Sequence, residues 1–178
     1  NERTAVLGLS EKISGDISVP KNIETTDTNK PKSPETYFGT LRNIRLGNAE
    51  SAKNGVQTLT EPSNVKPNLL YVVGDWNFQS EFAENRNVKA KIIYRYQGKN
   101  VYLVASANQN TNATVLLDGK PLGNKAGGDV INKDGASMLT IQEDRLYKII
   151  NDPTGYAEHT LELIIDNPGL KAFAFTFG

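Results

Sequence analysis

The segment KAKIIYRYQGKNVYLVAS, residues 89–106, decides the fold class. Its first half alternates with a period of two and so has the pattern of a β-strand. One face of that strand carries Ala90, Ile92, Tyr94 and Tyr96, and the other carries Lys89, Lys91, Ile93 and Arg95. A turn is predicted at residues 97–100, in which Gly98 supplies the positive φ of a tight hairpin. The segment therefore predicts two antiparallel strands.

Strands and turns continue to alternate along the rest of the chain. In ATVLLDGKPLG, the pair Asp118–Gly119 is a strong hairpin signal, and Pro121 restricts the return strand to a short or edge position. Further strands are predicted at residues 40–46, 69–73, 137–141, 146–150, 160–165 and 171–177, with one helical turn at 78–85. The pattern predicts an all-β fold, an antiparallel β-sandwich of about eight to ten strands.

Composition excludes several classes of function. The 178 residues suffice for one domain, and 20 basic residues balance 20 acidic ones. The chain therefore lacks the basic surface that neutralises phosphates, and we predict no nucleic-acid partner. It has no cysteine and one histidine, which excludes disulfides, thiolate sites and multi-histidine metal sites within it. No apolar run approaches the ~20 residues that span a bilayer, so we predict no transmembrane segment, and no cofactor is indicated.

Residues 1–32 differ from the rest of the chain. The stretch AVLGLSEKISGDISVP predicts a short strand near residues 5–9 or 16–19 that packs as a strap across the domain. The stretch KNIETTDTNKPK that follows has the polar composition of a linker. Because the chain starts at Asn1, we expect it to be part of a longer protein. We predict a leader at 1–32 and a folded module at 33–178.

Four side chains are candidates for ligand binding: Trp76, Tyr94, Arg95 and Tyr102. An aromatic ring can stack on the face of a pyranose while a guanidinium satisfies its hydroxyls. Each candidate also has a structural explanation, since tryptophan is usually buried and the charged face of a sheet is ordinarily solvated. Tyr94 and Arg95 alternate along one strand, so at most one of them belongs to any one site on a sheet face.

Catalytic and metal sites are not favoured by the sequence. His159 has no nucleophile near it in sequence and is more typical of a structural residue. Glu143 and Asp144 point to opposite faces, and Glu162 and Asp166 share a face without a clustered partner. The oxygen-rich loops GGDVINKDG and NDPTG match no calcium-loop spacing, and turn chemistry accounts for them. We predict that the chain is not an enzyme, with glycoside hydrolysis as a minor alternative.

The segment SPETYFG, residues 33–39, resembles the TPE-x-Y-x-G opening of the C-terminal domain of DipZ-type thiol–disulfide interchange proteins and their thioredoxin-like relatives. Other matching segments follow in the same order: GDW (74–76), IIYRYQGKNVYLV (92–104), VLLDGKPL (115–122), DRLYKII (144–150), HTLELII (159–165) and AFAFTFG (172–178). The resemblance covers residues 33–178. It identifies Pro34, Glu35, Tyr37 and Gly39 as a structural family motif.

The resemblance implies a jelly-roll β-sandwich, similar to carbohydrate-binding modules, placed after an extracytoplasmic thioredoxin domain. The implied role is a non-catalytic accessory module of a redox protein in the periplasm or cell envelope. Its implied partners are the upstream thioredoxin domain and a glycan or envelope component. The CxxC redox pair belongs to the thioredoxin part, since this chain has no cysteine. The alternative is a purely structural or protein-interaction domain that packs on the thioredoxin domain or self-associates.

Physical reasoning on the SPETYFG motif favours a structural role. In an extended chain, Tyr37 and Phe38 point to opposite sides. Glu35 and Arg42 can pair across a bend, and Gly39 permits a bulge or a close approach by a neighbouring segment. We expect the motif to anchor the leader to the sandwich rather than to bind a ligand.

Overall fold

The computed structural model describes Lys30 and residues 32–178. The elements in order are β1 (Thr36–Tyr37), β2 (Gly55–Leu59), β3 (Leu70–Phe78), β4 (Ala83–Asn85), β5 (Ala90–Gly98), β6 (Asn100–Ala107), β7 (Thr111–Leu117), β8 (Lys120–Pro121), the 3₁₀ turn η1 (Gly123–Lys125), β9 (Val130–Lys133), β10 (Ala136–Ile141), β11 (Arg145–Asn151), β12 (Ala157–Ile165) and β13 (Leu170–Phe177). The predicted all-β sandwich is confirmed. The leader strands proposed near residues 5–9 and 16–19 lie outside the described residues.

The strands form two antiparallel sheets that share β3. Sheet A has the order β11–β6–β13–β4–β3–β2, with β1 also beside β13, and sheet B has the order β3–β5–β12–β7–β10–β9, with β8 beside β7. Residues 70–73 of β3 pair with β5, and residues 74–78 pair with β2. Gly74 lies at this change of sheet with a φ of +98°, and a Cβ there would fall 2.5 Å from Asn87 Oδ1.

The core lies between the two sheets. Ala90, Ile92, Tyr94 and Tyr96 of β5 are at most 1% exposed, which confirms the inward face predicted for that strand. The ring of Phe177 on β13 stacks between two of them, with its centroid 5.3 Å from that of Tyr94 and 5.7 Å from that of Tyr96. The period-two pattern of β5 therefore places its aromatic side chains against those of the opposite sheet.

The predicted hairpin at residues 97–100 is wrong. β5 lies in sheet B and β6 in sheet A, so the chain crosses between the sheets at Lys99. Gly178 O accepts hydrogen bonds from Lys99 N at 2.8 Å and Asn100 N at 2.9 Å, and Gly98 does not have a positive φ. The last residue of the chain thus holds a corner between the sheets. Alternation identified both strands but contains no information about their pairing partners.

The hairpin predicted at Asp118–Gly119 is confirmed. The φ values of these residues are 50° and 75°, and they join β7 to the two-residue edge strand β8 that contains Pro121. The oxygen-rich loop GGDVINKDG ends in a second turn of the same kind, because Asp134 and Gly135 have φ values of 51° and 76° between β9 and β10. Asp-Gly pairs adopt this double positive φ readily.

Two other predicted elements differ from the structure. Residues 40–46 form turns rather than a strand, with Thr40 N donating to Gln79 O at 2.8 Å. Residues 78–85 form no helical turn, because they close the β3–β4 hairpin through a hydrogen bond from Gln79 N to Phe82 O at 2.8 Å. Residues 40–46 pair with a segment distant in sequence, whereas residues 78–85 pair locally as a hairpin. In both segments, backbone pairing overrides the local residue pattern.

Gly39 makes a close backbone contact, and we expect Gly39→Ala to destabilise the domain. A Cβ at Gly39 would fall 2.5 Å from both Glu81 Cα and Ser80 O, so the backbone must shift. Overpacking of this kind costs about 1–3 kcal/mol, which urea unfolding would measure. Gly128→Ala is the matched control, because no atom lies within 4 Å of its Cβ position. Equal unfolding midpoints for the two variants would contradict this packing.

Candidate functional site

Two of the four candidate ligand-binding residues are fully buried. Trp76 has no exposed surface, and its Nε1 donates to Val73 O at 3.0 Å. Tyr94 also has no exposed surface, and its hydroxyl shares a 2.9 Å hydrogen bond with Thr36 Oγ1. Burial raises the pKa of the Tyr94 phenol. Since a ligand cannot reach either ring, we withdraw Trp76 and Tyr94 from the candidate ligand-binding residues.

Arg95 and Tyr102 are half-buried and lie on opposite outer faces of the sandwich. Arg95 points outward from β5 in sheet B, where its Nη2 donates to Glu158 Oε1 at 2.6 Å. Tyr102 points outward from β6 in sheet A, between the inward-facing Val101 and Leu103. These two residues therefore cannot contribute to one site. A ligand-binding role for each stays a prediction.

The outer face of sheet A brings side chains of three strands into register. Tyr102 of β6 lies between Lys148 of β11 and Thr176 of β13, and the next outward row joins Leu146 to Val104. The Lys148 ammonium lies 5.8 Å from the Tyr102 ring centroid. We call Tyr102, Val104, Leu146, Lys148 and Phe173 the sheet A face.

Phe173 joins this face because β13 contains a bulge. The register shifts between Ala172 and Ala174, so Phe173 points outward while Phe175 points into the core. The Phe173 ring packs against Phe82 with 5.4 Å between centroids. Strict alternation in AFAFTF places Phe173, Phe175 and Phe177 on one face, so sequence reasoning missed the outward position of Phe173. No signal in a single sequence identifies this bulge.

The sheet A face contains an open groove of about 440 Å³ lined by Val104, Ala105, Asp144, Arg145, Leu146 and Phe173. Leu146 is 49% exposed there. The Arg145 guanidinium is held at the rim, 3.8 Å from the Tyr147 ring centroid and 2.9 Å from Asp129 Oδ1. An apolar floor with polar groups at its rim suits the face of a sugar ring. The lining residues include one carboxylate rather than the pair that glycoside hydrolysis needs, so this groove does not favour that alternative.

A second group of polar side chains surrounds His159. Its Nδ1 lies 2.6 Å from Asp118 Oδ2, and its Nε2 lies 3.3 Å from Asp152 Oδ2 and 3.2 Å from Lys125 Nζ. We call these four residues the His159 cluster. Both ring nitrogens contact charged groups, and the described partners of His159 include no nucleophilic hydroxyl. This geometry is typical of a structural histidine rather than a general base.

The His159 cluster is an ion-pair network around a buried carboxylate. Asp152 has no exposed surface, and its Oδ2 lies 2.8 Å from Lys125 Nζ. Burial works to raise the pKa of Asp152, but Lys125 and the two donors of Thr154 outweigh it and lower the pKa to about 2. Burial raises the pKa of the nearby Tyr96 phenol, and the two carboxylates of the cluster add to that effect. The cluster ties η1 and the ends of three strands together.

Hydrogen bonds and ring contacts hold the residues of the SPETYFG motif against the sandwich. Ser33 N donates to Gln97 O at 2.7 Å, and Gln97 N donates to Ser33 Oγ at 2.8 Å. The Tyr37 hydroxyl donates to Glu35, which raises the pKa of that phenol, and the Arg42 guanidinium lies 3.9 Å from the Tyr37 ring centroid. Phe38 points the opposite way, into the core.

In the described part of the chain, no three His, Cys, Asp or Glu side chains are arranged to hold a metal ion.

The fold and these surfaces define an antiparallel β-sandwich domain of the jelly-roll type, a class that includes lectin domains. Within that class, the chain belongs to the family described as the thioredoxin-like C-terminal domain, whose model matches residues 33–178. The described residues contain no helix long and apolar enough to cross a membrane.

The chain is similar to the protein DipZ of two mycobacteria. It is 26% identical over 179 residues to DipZ of Mycobacterium bovis and to DipZ of Mycobacterium tuberculosis. Each match covers 98% of this chain but 23% of DipZ, so the chain spans about a quarter of these relatives. A family two carbohydrate esterase from Cellvibrio japonicus has a related structure, with a TM-score of 0.50, 11% identity, and coverage of 61% of this chain and 30% of that one. At that identity the likeness shows a shared fold.

Proposed function

We propose that the domain is the non-catalytic accessory module of an extracytoplasmic thioredoxin-family redox protein, and that its sheet A face binds a carbohydrate or another component of the cell envelope. The family match and the similarity to DipZ support the proposal that this domain is part of a thioredoxin-family redox protein. Since this chain has no cysteine, the proposal assigns the thiol–disulfide chemistry of the longer protein to another part of it.

The apolar groove of the sheet A face carries this proposal. The rigid sheet holds Leu146, Val104 and Phe173 in one groove, and Tyr102 stands in the adjacent row. Because backbone hydrogen bonds fix these positions, little conformational entropy is lost when a flat ligand binds. Carbohydrate rings present such a flat apolar face together with hydroxyls for the rim groups Asp144 and Arg145.

Titration of the 178-residue chain would test this proposal. The probes are neutral gluco- and xylo-oligosaccharides, N-acetylglucosamine oligomers and muropeptides. We expect one class to bind with a dissociation constant of ~0.1–1 mM, which corresponds to about 4–5.5 kcal/mol. Loss of one stacked ring costs about 1 kcal/mol, so Tyr102→Ala should weaken binding about fivefold.

Arg95→Ala provides the matched control for this titration. Arg95 is also half-buried and lies on the outer face of the other sheet, so its removal should leave the affinity unchanged. Binding that is lost in Arg95→Ala and retained in Tyr102→Ala would place the ligand on sheet B instead. If none of these saccharides binds, the proposal that the sheet A face binds a carbohydrate is wrong.

A structural or protein-interaction role is the second candidate. It is favoured by the exposure of Leu41 and Ile44, whose side chains are 74% and 81% exposed. Large apolar side chains that lie together in solvent often mark contacts with other proteins. A protein contact at Leu41 and Ile44 is compatible with ligand binding at the sheet A face, because the two surfaces consist of different residues.

A further inference from the structure

Residues 40–46, which we call the Leu41–Ile44 loop, form an ordered surface that displays aliphatic side chains. Leu41 and Ile44 are the two most exposed large hydrophobic residues of the described chain. With Pro34 and Tyr37 they line a depression of about 420 Å³. An isolated exposed leucine needs no explanation, but two beside an apolar depression form a patch.

The loop is held in place by hydrogen bonds to its surroundings. Leu41 N donates to Ser80 O at 3.1 Å, and Leu70 N donates to Arg45 O at 2.8 Å. Asn43 is buried beneath the loop, where its Oδ1 accepts a 2.8 Å hydrogen bond from Ala52 N. The backbone could therefore turn the aliphatic side chains inward only by breaking these bonds. A preformed apolar surface loses little entropy when a partner covers it.

Charge defines the partner's chemistry. Arg42 and Arg45 also line the depression, together with one carboxylate, Glu35, which accepts a hydrogen bond from the Tyr37 hydroxyl. The Arg42 guanidinium is fixed over the Tyr37 ring, so the depression carries an excess of positive charge. The complementary surface is an apolar pocket with carboxylates at its rim, which would pair with these arginines.

The position of the loop identifies where that partner lies. Pro34, which lines the depression, is two residues from Lys32, where the continuous described chain begins. Any polypeptide that precedes the domain is therefore tethered beside the loop. Even a fully flexible tether of about 30 residues spans on the order of 30 Å, so an upstream domain would be present at roughly millimolar effective concentration. A small interface suffices under those conditions.

We infer that the Leu41–Ile44 loop is the docking surface for the domain that immediately precedes this chain in the longer protein. The inference rests on the proposed function, since it takes the chain to be one part of a thioredoxin-family polypeptide. It adds the surface of contact, which is separate from the sheet A face.

Amide hydrogen exchange tests the inference. The longer natural polypeptide is compared with the 178-residue chain, and the readout is the exchange rate of residues 40–46. A surface covered for about 90% of the time exchanges about tenfold more slowly, and we expect that slowing in the longer polypeptide. The double variant Leu41→Ser, Ile44→Ser should abolish it. Ile131→Ser is the control, because Ile131 is 67% exposed on the edge strand β9 and should leave the slowing intact.

Three results would overturn the inference. Equal exchange rates in both polypeptides would show that the preceding domain does not cover the loop. Slow exchange in the 178-residue chain that is independent of its concentration, and that the double variant Leu41→Ser, Ile44→Ser accelerates within this same chain, would show that residues 1–29 are the occupant. Slowing that rises with concentration would show that a second copy is the occupant. If the upstream domain proves not to be thioredoxin-like, the proposed function fails even where slowing is seen, so the two failures are distinguishable.

Discussion

Replacing Trp76 with alanine is expected to lower the free energy of unfolding by about 3–5 kcal/mol. The side chain has no exposed surface and lies in the part of β3 that belongs to sheet A. Alanine would leave a cavity and would remove the hydrogen bond from Nε1 to Val73 O. Chemical unfolding followed by circular dichroism measures the loss.

Trp76→Phe separates the two contributions at this position. Phenylalanine keeps most of the buried volume but leaves Val73 O without its donor, so we expect a loss of about 1–2 kcal/mol. Trp76 is the single tryptophan of the chain, so acrylamide quenching of the wild type reports its burial directly. If Trp76→Ala kept full stability and lost ligand binding instead, Trp76 would be a surface residue and not part of the core.

Replacing Lys125 with methionine is expected to destabilise the domain by about 3–5 kcal/mol at neutral pH, because it removes the ammonium that pairs with the buried Asp152 carboxylate. Lys125 Nζ lies 2.8 Å from Asp152 Oδ2, and the Asp152 side chain has no exposed surface. The double variant Lys125→Met, Asp152→Asn removes both charges and should recover part of the loss. A double variant no more stable than Lys125→Met would contradict the ion-pair explanation.

The same pair predicts a pH dependence of stability. In the folded domain the pKa of Asp152 is about 2, below its ordinary value of 3.8. As the pH falls, the unfolded chain binds the proton first, so stability that is fully present above pH ~4 decreases by about 2 kcal/mol toward pH ~2. Unfolding measured across this range should show a smaller acid loss in Asp152→Asn than in the wild type. Identical acid profiles would contradict a depressed pKa at Asp152.

The sequence predicts the strands well because burial imposes the period of two that defines them. The inward face of β5 and the Asp118–Gly119 turn follow directly from local residues. Pairing does not, and for that reason the chain crosses between sheets at residues 97–100 where a hairpin was predicted. Residues 40–46 have a strand-like composition, but their backbone groups pair with residues 79–80 in another loop.

The candidate site depends on features that are harder to predict. The phenol of Tyr94 can lie in the core because Thr36 of β1 forms a buried hydrogen bond with its hydroxyl. Thr36 is far from Tyr94 in sequence, so this contact could not be predicted from the residues around Tyr94. Tyr102 stays on the surface for the simpler reason that it alternates with Val101 and Leu103. Phe173 reaches the same surface through a bulge, and single-sequence alternation places it on the wrong side. The positions of strands are thus local properties, whereas the composition of a sheet face depends on register and bulges.

Binding of carbohydrate to the sheet A face can be tested by mapping backbone amide chemical shifts in the 178-residue chain during titration with the oligosaccharide that binds best. We expect the shifts to be concentrated on the outward residues of β6, β11 and β13, with Tyr102, Leu146 and Phe173 among the largest. The outward residues of β5 and β12 on sheet B should not respond. Shifts centred on Arg95 and Glu158, or no response to any envelope saccharide, would contradict a carbohydrate-binding role for the sheet A face.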